Sequence, residues 1–325
     1  MIIPNYNGAS LLPGCLEAVL AQTLPPSEVI VVDDGSTDGS QDLVRARFPQ
    51  VKLLALPDNV GFCRAANEGL RAARGDLLAL LNNDAEPERG WLAALAEALV
   101  VHPDVGACAS KMLFYDQRSL LNSAGLFVRA DGMARDIGYG QPDGPQFSVP
   151  ATVFGASGGA ALYRRELLNE VGLFDEDLVA YGEDVDLAFR AQWRGWACLY
   201  VPTAVVYHRV GATYGRESPG TAFYRSRNAL IVLLKNMPAR VVRRHWPIML
   251  AAQAYQVAYL AARGHGLPAL RGKLDALRRL RSTWGKRQAI LRARRVTEGQ
   301  IEALLGACGE WGRYAGVLAR GPGNV

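Results

Sequence analysis

Residues 76–87, DLLALLNNDAEP, decide how the fold of this chain is read. Leu77 to Leu81 form a short apolar run that suits a strand buried on both faces, and the run passes directly into Asn82, Asn83 and Asp84. A buried strand ending in polar groups presents them at its carboxyl end, where open parallel α/β sheets hold ligands. The same Asn-Asn-Asp, followed by Glu86-Pro87, is also good turn and helix-cap chemistry, so the triplet alone supports either reading.

The flanking sequence repeats the pattern. Ile2-Ile3-Pro4 leads into Asn5-Tyr6-Asn7-Gly8, after which Leu12, Cys15, Leu16, Val19 and Leu20 recur at helical spacing. Residues 29–32 form a second buried strand, closed by the turn-rich DDGSTDGS of residues 33–40. A third strand over residues 51–56 precedes Asn59-Val60-Gly61 and a helix with Phe62, Ala65, Ala66, Leu70 and Ala73 on one face. After residues 76–87 comes a helix with Leu92, Leu95 and Leu99. Strand, short loop and helix in repetition predict a mostly parallel sheet covered on both faces. The polar loops then share one edge and form a nucleotide-sized crevice. Neither GxGxxG nor GxxxxGK[ST] is present, which disfavours an ordinary dinucleotide or P-loop site.

Composition narrows the class. The 325 residues, half of them hydrophobic, suffice for one large domain with an appendage or for two domains. Five widely spaced cysteines (Cys15, Cys63, Cys108, Cys198, Cys308) without CxxC argue against a disulfide framework or a zinc site and point to a reducing compartment. No signal peptide is visible, and the chain starts inside a strand-like segment, so a few residues are expected to be missing from its start. Residues 246–262 approach membrane-spanning length, but Gln253, Gln256 and the Trp246-Pro247 start fit a buried or interfacial helix better.

Charge is unevenly distributed. Residues 1–215 hold 16 Lys and Arg against 26 Asp and Glu, a net −10, and residues 216–325 hold 20 against 5, a net +15. The shift sets a boundary near Gly215 and gives the tail an anionic partner.

Downstream, residues 110–150 show weak periodicity and are expected to form irregular strands and loops. The small-residue run GASGGAA (residues 155–161) permits close approach of a ligand or simply tight strand packing. In YGEDVD (residues 181–186), three carboxylates in four positions exceed what capping a helix needs, so one is a candidate general base. A strand over residues 198–207 ends in His208.

Taken together, IIPNYNG (residues 2–8), VVDDGSTDGS (31–40), NVGFCRAANEG (59–69), LLNNDAEP (80–87) and GLFDEDLVAYGEDVDLAFR (172–190) resemble glycosyltransferase family 2, inverting enzymes of GT-A fold, and in particular its rhamnosyltransferase-like branch. The five motifs occur in the family's order over roughly the first 210 residues. The resemblance implies that Pro4, Tyr6, Asn7, Asp33 and Asp34 hold the nucleobase and ribose of a sugar nucleotide, with Arg64 and Asn67 beside the diphosphate. It implies further that Asn82-Asn83-Asp84 stands for the metal-binding DxD motif, Asn82 and Asn83 facing the donor and Asp84 ligating Mg²⁺ or Mn²⁺ with His208. Asp184 corresponds to the base, and Glu183 and Gly158 are expected to meet the acceptor. The departure is Asn82 where an aspartate often stands, which shifts metal binding toward Asp84, the diphosphate and His208.

The implied activity is transfer from a nucleoside-diphosphate sugar, with dTDP-rhamnose a candidate, to a lipid-linked or polysaccharide hydroxyl at the cytoplasmic membrane face. A nucleotidyltransferase would need a basic glycine-rich loop that residues 2–12 lack, and a non-catalytic binding module would have little use for both Asp84 and Asp184. In the expected helical, basic region of residues 216–325, Leu270, Leu274, Leu277 and Leu280 lie on one helical face amid Arg271, Lys273, Arg278, Arg279 and Arg281. That pattern suits an anionic bilayer surface or a solvated face packed on the domain of residues 1–215, and no nucleic-acid-binding signature accompanies it.

Overall fold

The computed structural model describes residues 1–211 and 218–306; Gly215, where the compositional boundary was expected, and Cys308 lie outside the described residues. The N-terminal part runs β1 (Ile2–Asn5), α1 (Leu12–Leu20), β2 (Ile30–Asp33), α2 (Ser40–Arg47), β3 (Lys52–Ala55), α3 (Phe62–Ala72) and β4 (Leu77–Leu81). Strands β4, β1, β2 and β3 lie side by side in that order and are parallel throughout. The alternation of a pleated strand sorts their side chains. Ile2, Val32 and Leu80 point toward α3, whereas Ile3, Val31 and Leu81 face α1 and α4 (Trp91–Val101). Both faces are therefore apolar and covered, as a parallel sheet requires.

Between β4 and α4 the chain forms β5 (Ala85–Pro87), a strand that neither reading of this stretch anticipated. Next come β6 (Val105–Phe114), β7 (Leu121–Ser123), β8 (Leu126–Val128), β9 (Ala134–Asp136), β10 (Ala151–Val153), β11 (Ala160–Arg164), α5 (Arg165–Val171), α6 (Glu183–Trp193) and β12 (Ala197–His208). Strand β11 inserts antiparallel between β4 and β6, making the sheet mixed beyond its parallel half. Strand β6 carries regular structure into the stretch expected to be irregular, because its ten residues pair with β11, β12 and β7 rather than alternating in polarity. His208 closes β12 opposite Ala85 of β5, so the last strand's end lies beside the end of β4.

The C-terminal helices are α7 (Pro219–Asn236), α8 (Ala239–Ala261), α9 (Gly266–Arg278), α10 (Leu280–Ala293) and α11 (Glu298–Leu304). Ile231, Val232, Leu233 and Met237 enter the same apolar cluster as Leu187, Phe189 and Trp193 of α6. Helices α7 and α9 pack so closely that a Cβ on Gly272 would stand 2.4 Å from the Phe223 carbonyl oxygen, which explains a glycine in mid-helix. Two details depart from the expected tail. The helix breaks at Arg279, so Leu280 opens α10 instead of extending the α9 stripe. Lys273 points inward, donating to the Ser226 carbonyl at 2.8 Å and to Gln256 Oε1 at 2.7 Å, with burial pushing its amine down to about 7. No helix among the described residues is long and apolar enough to cross a membrane.

Candidate active site

The polar loops do converge at the carboxyl edge of the parallel strands. Asn5, at the end of β1, donates to Asp33 Oδ2 at 2.8 Å and accepts from Asn83 Nδ2 at 2.7 Å, tying the ends of β2, β1 and β4 together. Gly8 makes room for this chain of bonds, since a Cβ there would lie 2.2 Å from Asn5 Oδ1 and 2.3 Å from Asn83 Nδ2. Asp33 is fully buried, its Oδ1 accepting from the Ser36 N–H and from Gln41 Nε2 at 2.9 Å each. Asp34 accepts the Val60 and Gly61 N–H groups at 2.7 and 2.9 Å, fixing the entry to α3, and burial raises its carboxyl above the ordinary value. Asn7 takes φ 48°, a left-handed value that asparagine tolerates, and its Oδ1 accepts from the Thr37 N–H at 2.8 Å.

The other residues expected at the donor differ in exposure. Pro4 is buried in β1 opposite Val32, Tyr6 is half-buried, and Arg64 stands exposed on the first turn of α3. Asn67 is buried, its amide bonded to both the N–H and the carbonyl of Phe174 at 3.0 and 2.9 Å and to Glu176 Oε1 at 3.0 Å. It fastens α3 to the turn before α6 rather than facing the open edge.

At the end of β4, Asp84 Oδ1 is buried and accepts no hydrogen bond, yet His208 Nε2 lies 3.1 Å away. Asn122 of β7, which the sequence did not single out, places Oδ1 2.8 Å from His208 Nδ1. With this amide orientation Nδ1–H is the donor, which leaves the Nε2 lone pair aimed at a carboxylate oxygen. Either a proton on Nε2 or a metal cation beside the two groups would satisfy both atoms. Adjacent ligands of an octahedral ion at about 2.1 Å stand about 3 Å apart, so the spacing fits Mg²⁺ or Mn²⁺. The set is incomplete on its own: among the described residues no group of three or more His, Cys, Asp or Glu could hold a metal, and Asn82, Nδ2 3.4 Å from His208 Nε2, is the nearby neutral neighbour.

The start of α6 is tied to the same region through Gly158. Gly158 N–H donates to Asp184 Oδ2 at 3.2 Å, and Val185 N–H donates to Asp184 Oδ1 at 2.8 Å. Burial raises the Asp184 carboxyl, while these two N–H groups favour its charged form. Burial and the neighbouring Asp184 charge push Glu183 well above the usual carboxylate range, and its Oε2 has no partner. Of the two, Asp184 is the one arranged to ionise. The small-residue run joins both halves: next to Gly158, a Cβ on Gly159 would meet Met112 at 2.8 Å, Asn82 Nδ2 at 3.4 Å and His208 Cε1 at 3.7 Å. A further carboxylate, Asp136 of β9, is raised to about 6 by burial, with the Asp184 charge adding to the rise. Neither Asn122 nor Asp136 carries a sequence signal, since both sit in short strands within the stretch of weak periodicity.

A parallel β4-β1-β2-β3 half-sheet with polar loops along its carboxyl edge, and the Asp84/His208 and Glu183/Asp184 pairs reached through Gly158 and Gly159, give the GT-A fold. Residues 1–172 match the profile of glycosyl transferase family 2, more than half the chain, and the protein belongs to that family. Over 213 residues it is 33% identical to the pre-mycofactocin glycosyltransferase of Mycobacterium tuberculosis, a match covering 64% of this chain and 42% of that one. Over 240 residues it is 28% identical to the N-acetylglucosaminyl-diphospho-decaprenol L-rhamnosyltransferase of the same organism, covering 67% and 78%. The chain thus spans less than half the length of the first relative. Among solved structures, GalNAc-T7 with UDP, GalNAc and Mn²⁺ superposes with a TM-score of 0.58 at 20% identity, covering 72% of this chain and 47% of that one. The mannosyltransferase PcManGT of Pyrobaculum calidifontis, with GDP-Man and Mn²⁺, gives 0.51 at 25% identity, covering 90% and 84%.

Proposed function

We propose that this protein moves a sugar from a nucleoside-diphosphate donor to a hydroxyl of a lipid-linked or polysaccharide acceptor, with inversion at the anomeric carbon. The observation that carries the reading is the adjacency of Gly158 and Gly159, which sets the Asp184 carboxylate beside the Asp84 and His208 pair. Transfer needs a base on one side of the sugar and charge neutralisation on the other.

Asp184 accepts the proton of the acceptor hydroxyl as the oxygen attacks, its basicity raised by burial. Glu183, holding its proton at neutral pH, is free to donate a hydrogen bond to the acceptor. Asp84 and His208, with Asn82 beside them, are the residues that would hold a divalent cation, which when bound would supply charge neutralisation for the leaving diphosphate. The linked ends of β1, β2 and β4 form the donor floor, where Asp33 and Asp34 act by fixing loops Ser36–Thr37 and Val60–Gly61. The rhamnosyltransferase relative makes dTDP-rhamnose the first donor to assay. A screen of UDP-, GDP- and dTDP-sugars, with NMR assignment of the product anomer, tests this reading. Turnover with inversion is expected; retention of configuration, or no turnover of any donor with Mn²⁺ present, defeats it.

A membrane-bound acceptor is favoured by a separate observation. Trp246, Leu250, Tyr255 and Tyr259 of α8 and Leu267, Leu270, Leu274 and Leu277 of α9 are exposed. Helix α8 contains no acidic residue, and the sequence from 216 onward carries the net +15. Exposed aromatic and leucine side chains among arginines fit the headgroup region of an anionic bilayer.

A further inference from the structure

The backbone entering α6 takes a path that L-residues avoid. Val179 sits at φ 65°, ψ −61°, the centre of a γ-turn in which Ala180 N–H donates to the Leu178 carbonyl at 2.7 Å. Tyr181 follows at φ 69° and Gly182 at φ 85°. Glycine accepts such a value, but a β-branched valine does not do so unaided. Conformations of this kind persist only where the surroundings over-determine them. The consequence is local and chemical, because Gly182 caps α6 and Glu183 and Asp184 are that helix's first two residues.

The surroundings that impose this path belong largely to α7. Asn228, 1% exposed, directs Nδ2 at three converging carbonyls, those of Leu178, Ala180 and Tyr181, at 2.9, 2.7 and 2.7 Å. Its Oδ1 accepts from Arg227 Nε at 2.8 Å, and Arg227 Nη2 donates to the Asp177 and Leu178 carbonyls at 2.7 and 2.8 Å. Only an amide serves at this position: it donates toward carbonyl dipoles while accepting from a guanidinium, whereas a carboxylate would meet those carbonyls with like partial charge. Cys63 N–H of α3 adds a bond to the Val179 carbonyl at 2.9 Å, so the turn is held from two sides. At its other end α7 grips α6 again, Asn236 Nδ2 and Lys235 Nζ each lying 2.8 Å from Asp186 Oδ1.

We propose that Asn228 is a positioning residue for sugar transfer, setting the place of the Glu183–Asp184 pair through the strained turn at residues 178–182. The proposal rests on the reading of Asp184 as the base. It also means that the catalytic geometry is completed by a helix outside the residues 1–172 that match the family profile.

The test is Asn228→Ala in the full chain, measured beside Asp184→Asn, with folding checked by thermal melting and binding of UDP, GDP and dTDP by calorimetry. The expected result is a loss of about 100-fold in kcat, with nucleotide affinity and donor KM within about 3-fold of wild type, as befits misplacement of a reacting group rather than loss of a binding contact. Should alanine alone prevent folding, Asn228→Ser, which keeps a donor for only one of the three carbonyls, carries the same expectation. A folded, nucleotide-binding variant whose kcat stays within about 3-fold of wild type, while Asp184→Asn is inactive, overturns the positioning role alone. Retention of activity in both overturns the assignment of the carboxylate pair and the positioning role with it. Loss in Asn228→Ala with retention in Asp184→Asn excludes Asp184 as the base and overturns the proposal with it, leaving Asn228 a structural role.

Discussion

His208 Nε2 lies 3.1 Å from Asp84 Oδ1, and the opposite nitrogen of the same ring lies 2.8 Å from Asn122 Oδ1. With the Asn122 oxygen accepting from Nδ1–H, the neutral ring turns its Nε2 lone pair toward Asp84, the orientation that the proposed metal site requires. A residue behind a metal ligand normally affects metal affinity by about 10–100-fold. Asn122→Ala is therefore expected to raise the Mn²⁺ concentration for half-maximal activity by that factor, and His208→Ala by at least as much. Unchanged metal titration curves in both variants would sink the assignment.

The base assignment makes a sharper demand. Asp184→Asn keeps the shape and the contact with Gly158 but removes the proton acceptor. Loss of a general base costs about 10²–10⁴-fold, so kcat should fall in that range while nucleotide affinity stays near wild type. Full transferase activity in this variant would exclude Asp184 as the base.

Glu183 predicts how stability depends on pH. Its carboxyl is raised on folding by burial and by Asp184, so its contribution is fully present below the unfolded value of 4.5 and is lost as pH rises through the higher folded value. Glu183→Gln removes that loss. The variant should melt above wild type by about 2 °C or more at pH 8 and show a smaller gain at pH 5. Equal gains at both pH values would contradict the argument.

Lys235 binds the buried carboxylates of Asp175 and Asp186 at 2.7 and 2.8 Å. Lys235→Met leaves both with less compensation and should destabilise the fold by about 3–5 kcal/mol by denaturant titration. Both carboxyls are lowered on folding, Asp186 because Lys235 and Arg190 outweigh its burial. Their stabilisation is present above the unfolded value of 3.8 and is lost as pH falls through the folded values. The wild type should accordingly lose stability below about pH 4 more steeply than Lys235→Met.

The exposed face of α8 and α9 is tested with vesicles. The protein should sediment with phosphatidylcholine vesicles containing phosphatidylserine at low salt, less so at 0.5 M NaCl, and Trp246→Ser with Leu270→Ser should weaken sedimentation about tenfold. Failure to sediment with anionic vesicles at low salt would dismiss the surface as a membrane contact.

Local sequence carried the N-terminal half of the fold. Short apolar runs at Ile30 to Val32 and Leu77 to Leu81, each closed by a polar loop, specify buried parallel strands because periodicity and turn chemistry act over a few residues. Strand β5 and the length of β6 escaped that reading, since their regularity comes from pairing with β12 more than 90 positions away. The acidic character of residues 183–186 was also evident, but not which carboxylate ionises, because that depends on N–H groups and burial supplied by distant segments.

The stretch at residues 76–87 and its companions determined by themselves the sheet, the polar edge and the identity of Asp84, Asp184 and His208 as the groups to examine. Only the tertiary structure set His208 against Asp84 across 124 positions, placed Asn122 behind it and gave Asn228 the three carbonyls before α6. The physical reason is that strand and helix signals are carried by neighbouring residues, whereas the partner of a buried polar group is chosen by packing, and no periodicity records it.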